Sequence, residues 1–133
     1  MLLAMFAMVL LTLVVGVITL SSRFKSVRAG DVKARYYKLM QGQELPEYVA
    51  KTGRNFNNQF EVPTLFYAAA ILHIVLQLEQ GVGLYLAWTF VALRYLHALI
   101  HLSYNHVLHR MLSFFAAFFV VVAMWINLVV ATL

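Results

Sequence analysis

The sequence predicts an all-α integral membrane protein, with residues 1–133 forming a single bundle of four transmembrane helices. Composition is the first reason. Hydrophobic residues make up 63% of the chain and charged residues 11%, against about 45–50% and about 25% in soluble domains. Ten basic and five acidic side chains are too few to solvate a globular surface of this size, so lipid must cover most of it. The same composition excludes intrinsic disorder, which requires few aromatics and much charge. The second reason is where the charges lie. They gather in one segment and leave apolar runs near the roughly 20 residues that cross a hydrocarbon core of about 30 Å.

The first run, 1–20, carries no charge. It lacks a basic leader, and no small-residue cleavage site precedes Arg23, so it reads as a span and not as a signal peptide. Residues 21–60 form the only long polar segment and hold eight of the ten Lys and Arg residues. Lys- and Arg-rich loops stay in the cytoplasm, which directs the N- and C-termini outward and 105–110 inward. Within this loop Gly42 to Pro46 marks a turn, and a helix is expected from about Glu47. The second span, 62–78, carries only His73 as a possible charge. Gln77, Glu79, Gln80 and Gly81 form a polar break before the third span, 83–104, which carries Arg94, His97 and His101. The fourth, 111–133, has no formal charge. The net charge of +5 is accounted for by topology and anionic headgroups, and no nucleic-acid partner is expected.

A charge at the centre of a membrane helix costs about 2.5–3.5 kcal/mol on insertion scales, so ionisable residues at that depth are candidates for function. There are two clusters. Arg54, Asn58 and Glu61 lie at i, i+4 and i+7 and share one face if helix continues through them. Pro63 follows, and its missing N–H and ring favour a kink that frees carbonyls near Asn58 and Gln59. Arg94, His97 and His101 lie at i, i+3 and i+7, and the polar run continues through Tyr104, Asn105, His106 and His109 to Arg110. Glu61 is the one acid close to membrane depth, so Arg94 and Glu61 are expected to approach one another. Such a pair serves equally well as a lock on the bundle or as part of a site.

With no cysteine and only two histidines at i, i+4 spacing, no metal site is expected. His73 reads as a hydrogen-bonded core residue. Phe114, Phe115, Phe118 and Phe119 read as packing or lipid-facing surface.

The two clusters, in order and on the expected spans, resemble the signature of the MAPEG superfamily, the membrane-associated proteins of eicosanoid and glutathione metabolism. Arg54, Asn58 and Glu61 match its Arg-x-x-x-Asn-x-x-Glu pattern, and Arg94, His97 and Arg110 match its third-span pattern. The stretch from Asn58 to Pro63 is similar to the poorly characterised bacterial branch. The resemblance implies a homotrimer in a bacterial inner membrane, with glutathione held between subunits near the cytoplasmic side. It implies that Arg110 stabilises the glutathione thiolate. Arg54, Asn58, Glu61, Arg94, His97 and His101 would contact the cosubstrate or support residues that do. Arg23 or Arg28 would take a glutathione carboxylate.

The implied activity is a glutathione transferase or peroxidase acting on small lipophilic electrophiles. His101 stands where conjugating members often carry tyrosine, and Asn57 where some prostaglandin-forming members carry arginine, so a prostaglandin or leukotriene substrate is not expected. The alternative is a non-catalytic trimer that binds lipid or a partner protein. A small multidrug transporter is disfavoured, because the first span holds no carboxylate. Ala98, Ala116 and Ala117 are small residues that permit close helix contact and fit a trimer interface.

Overall fold

A computed structural model of the chain describes residues 1–78 and 80–133. Every regular element among them is a helix: α1 (Leu2–Arg28), α2 (Tyr36–Leu39), α3 (Glu47–Asn57), α4 (Val62–Val75), α5 (Val82–Leu102) and α6 (Val107–Thr132). Glu79, which the sequence assigns to the polar break, lies outside the described residues.

Three helices, α1, α5 and α6, are long and apolar enough to cross a membrane. At 1.5 Å per residue they extend about 40, 32 and 39 Å. The 14 residues of α4 extend about 21 Å.

Helix α1 runs beyond the charge-free stretch to Arg28, because nothing in 21–28 breaks a helix. Ser22 and Ser26 donate back to the carbonyls of Thr19 and Arg23, and Lys25 and Arg28 complement the negative end of the helix dipole. Gly30, at φ 80°, follows and turns the chain away. Helix α3 begins at Glu47, directly after Pro46.

Each long helix buries one stripe at helical spacing. Ala4, Met8, Leu11 and Val15 of α1 meet Phe66, Ala69 and Ala70 of α4, Ala87, Phe90 and Val91 of α5, and Ala117, Val121 and Met124 of α6. Phe66 and Phe90 stack with centroids 4.5 Å apart and planes 12° apart. The opposite faces are also apolar: Leu13, Val17 and Leu20 on α1, and Phe115, Phe119 and Ile126 on α6, are exposed. A helix facing water would be polar there. Ala98 and Ala117 do not supply a subunit contact, since both are buried inside the protomer; Ala116 is half-buried.

Polar ties fix the arrangement. Tyr95 donates to the Ala7 carbonyl and Trp125 to the Leu65 carbonyl. Thr19 donates to the Thr52 carbonyl, joining α1 to α3. His73 is fully buried, with Nδ1 2.8 Å from the Ala69 carbonyl and Nε2 3.2 Å from Asn127 Oδ1. Gly83 packs against that ring so closely that a Cβ there would lie 2.6 Å from His73 Cδ2.

Helix does not continue through the first polar cluster. It stops at Asn57, turns through 58–61 and restarts at Val62. Pro63 is the cause, since it has no N–H for the Gln59 carbonyl and its ring collides with that carbonyl in a continuous helix. Arg54, Asn58 and Glu61 therefore do not share one helical face.

Candidate functional site

The turn at 58–61 lies against the middle of α5, and its freed carbonyls decide the fate of Arg94. That side chain is 0% exposed. Its Nη2 donates to the Asn58 carbonyl at 2.6 Å, while Nε and Nη1 have no hydrogen-bond partner among the described residues. The hydrogen-bond partner of the buried guanidinium is thus a backbone carbonyl, while the Glu61 carboxylate makes no hydrogen bond to it but lies within electrostatic reach. Glu61 itself is exposed at the start of α4, where its carbonyl accepts from Thr64 N–H and Oγ1.

Two further amides are buried here, Asn55 at the end of α3 and Gln59 in the turn. Asn55 Nδ2 donates to the Ala98 carbonyl at 3.3 Å, and Gln59 Nε2 donates to Asn55 Oδ1 at 3.3 Å. Both fall within the first polar cluster of the sequence, where neither side chain has an expected role. Their i, i+4 spacing within an amide-rich stretch was the available signal.

His97 connects this turn to α6. Its Nδ1 faces the Arg110 carbonyl at 3.1 Å and Ser113 Oγ at 3.3 Å. A carbonyl only accepts, so Nδ1 carries the proton, and Nε2 accepts from Asn58 Nδ2 at 3.4 Å. His101 lies edge-on to His97, with centroids 5.8 Å apart. The residue is 1% exposed, and neither ring nitrogen has a hydrogen-bond partner among the described residues.

Arg110, half-buried in the first turns of α6, donates from Nη1 to Asn105 Oδ1 at 2.8 Å. Asn105 is presented by the end of α5: its backbone is left-handed at φ 51°, and its N–H bonds the Ile100 carbonyl at 2.9 Å.

The structure thus joins Arg94, Asn58, His97 and Arg110 in one connected set, with His101 packed beside it. It encloses Arg94, His97 and His101 within the protomer, whereas Asn58 and Arg110 are half-buried and Arg54 and Glu61 are exposed.

Arg54 belongs to a neighbouring feature, an open cavity of about 560 Å³ between the end of α1, α2 and α3. Arg23, Tyr36, Tyr37, Glu44, Arg54 and Asn57 supply its polar lining, so one carboxylate stands among the two arginines. The Arg23 guanidinium lies 5.6 Å from the centre of the Tyr37 ring, and the Tyr37 hydroxyl is hydrogen-bonded to Ser26 Oγ at 2.7 Å. Of the two first-helix arginines, only Arg23 lines this cavity, and Arg28 lies with Ser21, Phe24, Lys25 and Val27. Tyr36 and Tyr37 carried no sequence signal, because the short helix that presents them is set by packing.

The set formed by Arg94, Asn58, His97 and Arg110 unites the second- and third-span motifs, and a model of the MAPEG family matches residues 1–130 of the 133-residue chain. The chain belongs to the MAPEG family. No curated protein and no solved structure matches it. With three long apolar helices it is an integral membrane protein. MAPEG members include glutathione-dependent transferases and peroxidases and commonly use glutathione.

Proposed function

We propose that this MAPEG protein is a glutathione-dependent transferase or peroxidase acting on lipophilic electrophiles. The observation that carries the reading, beyond family membership, is the hydrogen-bonded connection from Asn58 through His97 to Arg110 beside a cavity lined by Arg23 and Arg54. Glutathione is an extended molecule with two carboxylates and one thiol. In this reading Arg23 and Arg54 receive a carboxylate, Asn58 and Glu61 meet the peptide and ammonium groups, and Arg110 receives the thiol.

A free thiol near pKa 8.5 must fall to about 7 or below, a change of roughly 2 kcal/mol. One hydrogen bond from a charged donor is worth about 1.5–3 kcal/mol, so Arg110 suffices in a water-poor site. The thiolate then attacks carbon: the S–C bond forms, the bond to the leaving group breaks, and an opened epoxide oxygen takes its proton from solvent. With a hydroperoxide the thiolate attacks the terminal oxygen: the S–O bond forms, the O–O bond breaks and the alkoxide leaves as the alcohol after taking a proton from solvent. A second glutathione then attacks the sulfenic sulfur, forming the disulfide and releasing water.

The remaining architecture belongs to the same proposal. Helices α1, α4, α5 and α6 serve as four spans in a bacterial inner membrane, with residues 21–60 on the cytoplasmic side and both termini outside. The chain assembles as a homotrimer that completes the glutathione site between subunits. The inward bias of Lys and Arg supports the topology. Extensive apolar faces on α1 and α6 are available to lipid and to neighbouring subunits.

A second reading, a non-catalytic trimer binding lipid or a partner protein, is favoured by one observation: Arg94, His97 and His101 are all enclosed within the protomer. Turnover separates the two. Conjugation of an aryl halide and reduction of an organic hydroperoxide are measured with the detergent-purified protein and its Arg110→Ala variant. The transferase reading expects turnover that falls by about 10²–10³-fold in the variant, as when a charge-stabilising donor is removed. Absence of turnover across the electrophile panel favours the second reading.

A further inference from the structure

His97 hydrogen-bonds both Asn58 of the turn and the start of α6. Its ring is 2% exposed, and both nitrogens are engaged by the protein itself. A ligand lying on the protomer cannot hydrogen-bond a covered ring whose donor and acceptor are already used.

What the ring does reach is the backbone of Arg110. The Arg110 carbonyl accepts from His97 Nδ1 at 3.1 Å and from Ser113 Oγ at 3.0 Å, which pins the start of α6 to α5. From the other direction Asn105 Oδ1 holds Nη1 at 2.8 Å. The Arg110 side chain is therefore fixed at its root by His97 and at its tip by Asn105. An arginine so restrained loses little further rotamer freedom when an anion arrives. On the far side, Asn58 donates to His97 Nε2 while its own carbonyl is held by Arg94, so the ring cannot rotate to release Arg110 without breaking a second bond.

We propose that His97 is a positioning residue for Arg110, acting through the Arg110 carbonyl, and is not itself a glutathione ligand. This rests on the reading above that Arg110 meets the thiol, and the test contains one measurement that does not depend on it. Three variants divide the contributions of the ring. His97→Phe keeps the plane and removes both nitrogens. His97→Asn retains an N–H near the Nδ1 position. His97→Gln places one near Nε2 instead.

The first measurement is the pH titration of the bound glutathione thiolate, together with glutathione affinity. His97→Phe and His97→Gln are expected to raise the bound thiol pKa by about one unit, tenfold less thiolate at a given lower pH. Affinity changes little, and His97→Asn stays near wild type. The second measurement needs no glutathione: the rate at which phenylglyoxal modifies Arg110, resolved from the other arginines by mass spectrometry. A loosened Arg110 reacts several times faster in His97→Phe and His97→Gln, and His97→Asn restores the slow rate.

Loss of glutathione affinity in His97→Phe as large as in Arg110→Ala, with the modification rate unchanged, would make His97 a ligand and overturn the proposal. So would variants indistinguishable from wild type in both measurements. If wild-type protein binds no glutathione, the thiol reading fails, and the modification rates still decide whether His97 positions Arg110. If His97→Phe does not fold, the contrast between His97→Asn and His97→Gln carries the test.

Discussion

Arg94 donates from Nη2 to the Asn58 carbonyl at 2.6 Å, so a fully buried cation is met by the backbone of a proline-broken turn. The break that frees the carbonyl and the charge that uses it come from different motifs, and each explains the other's presence at membrane depth. Replacing Arg94 by Met keeps most of the volume but leaves that carbonyl unmet, at an expected cost of about 1–3 kcal/mol. Arg94→Ala adds a cavity and costs more. Thermal unfolding in detergent checks both, and unchanged melting in Arg94→Ala contradicts the assignment.

The contact between Gly83 and His73 gives a prediction at the other end of the bundle. A methyl group at 83 would meet a buried imidazole at 2.6 Å, and the ring is anchored to Ala69 and Asn127. Gly83→Ala should destabilise by about 1–3 kcal/mol. Removing the ring as well, in Gly83→Ala/His73→Ala, should cost less than the sum of the single changes, a coupling read from a double-mutant cycle.

Arg23 and Arg28 were interchangeable in the sequence, and the cavity separates them. Arg23→Ala should weaken glutathione binding about tenfold, the effect of one charge-assisted hydrogen bond worth about 1.5 kcal/mol or more. Arg28→Ala should leave it within about twofold, as expected of an exposed charge. Isothermal titration compares them, and the reverse order contradicts the placement of the carboxylate.

The sequence made the helical class legible because apolar runs bounded by charges have few other readings. Pro63 announced a kink, which the structure makes a full break, and Pro46 with Glu47 announced the start of α3. Arg94, His97 and His101 were visible as one polar face through their spacing. The partner of Arg94 was not visible, since a carbonyl that accepts a hydrogen bond leaves no side-chain signature, and the carboxylate of Glu61 was the natural expectation. The extension of α1 past Leu20 was hidden because hydropathy ends where Arg23 begins, whereas helix propensity does not. The roles of Ala98 and Ala117 depended on which neighbour they face, a property of packing that small size alone does not determine.

The connection from Arg94 to Arg110 gives the chain a single mechanical logic: buried groups hold the half-buried arginine that we propose meets the thiol. The measurement that tests this most directly is glutathione binding to the detergent-purified protein, with thiolate absorbance followed at about 240 nm in wild type and Arg110→Ala. The account predicts bound glutathione with a thiolate signal below the pH at which free thiol ionises, and loss of that signal in the variant. Absence of binding at millimolar glutathione, or a thiolate signal unchanged by Arg110→Ala, contradicts it.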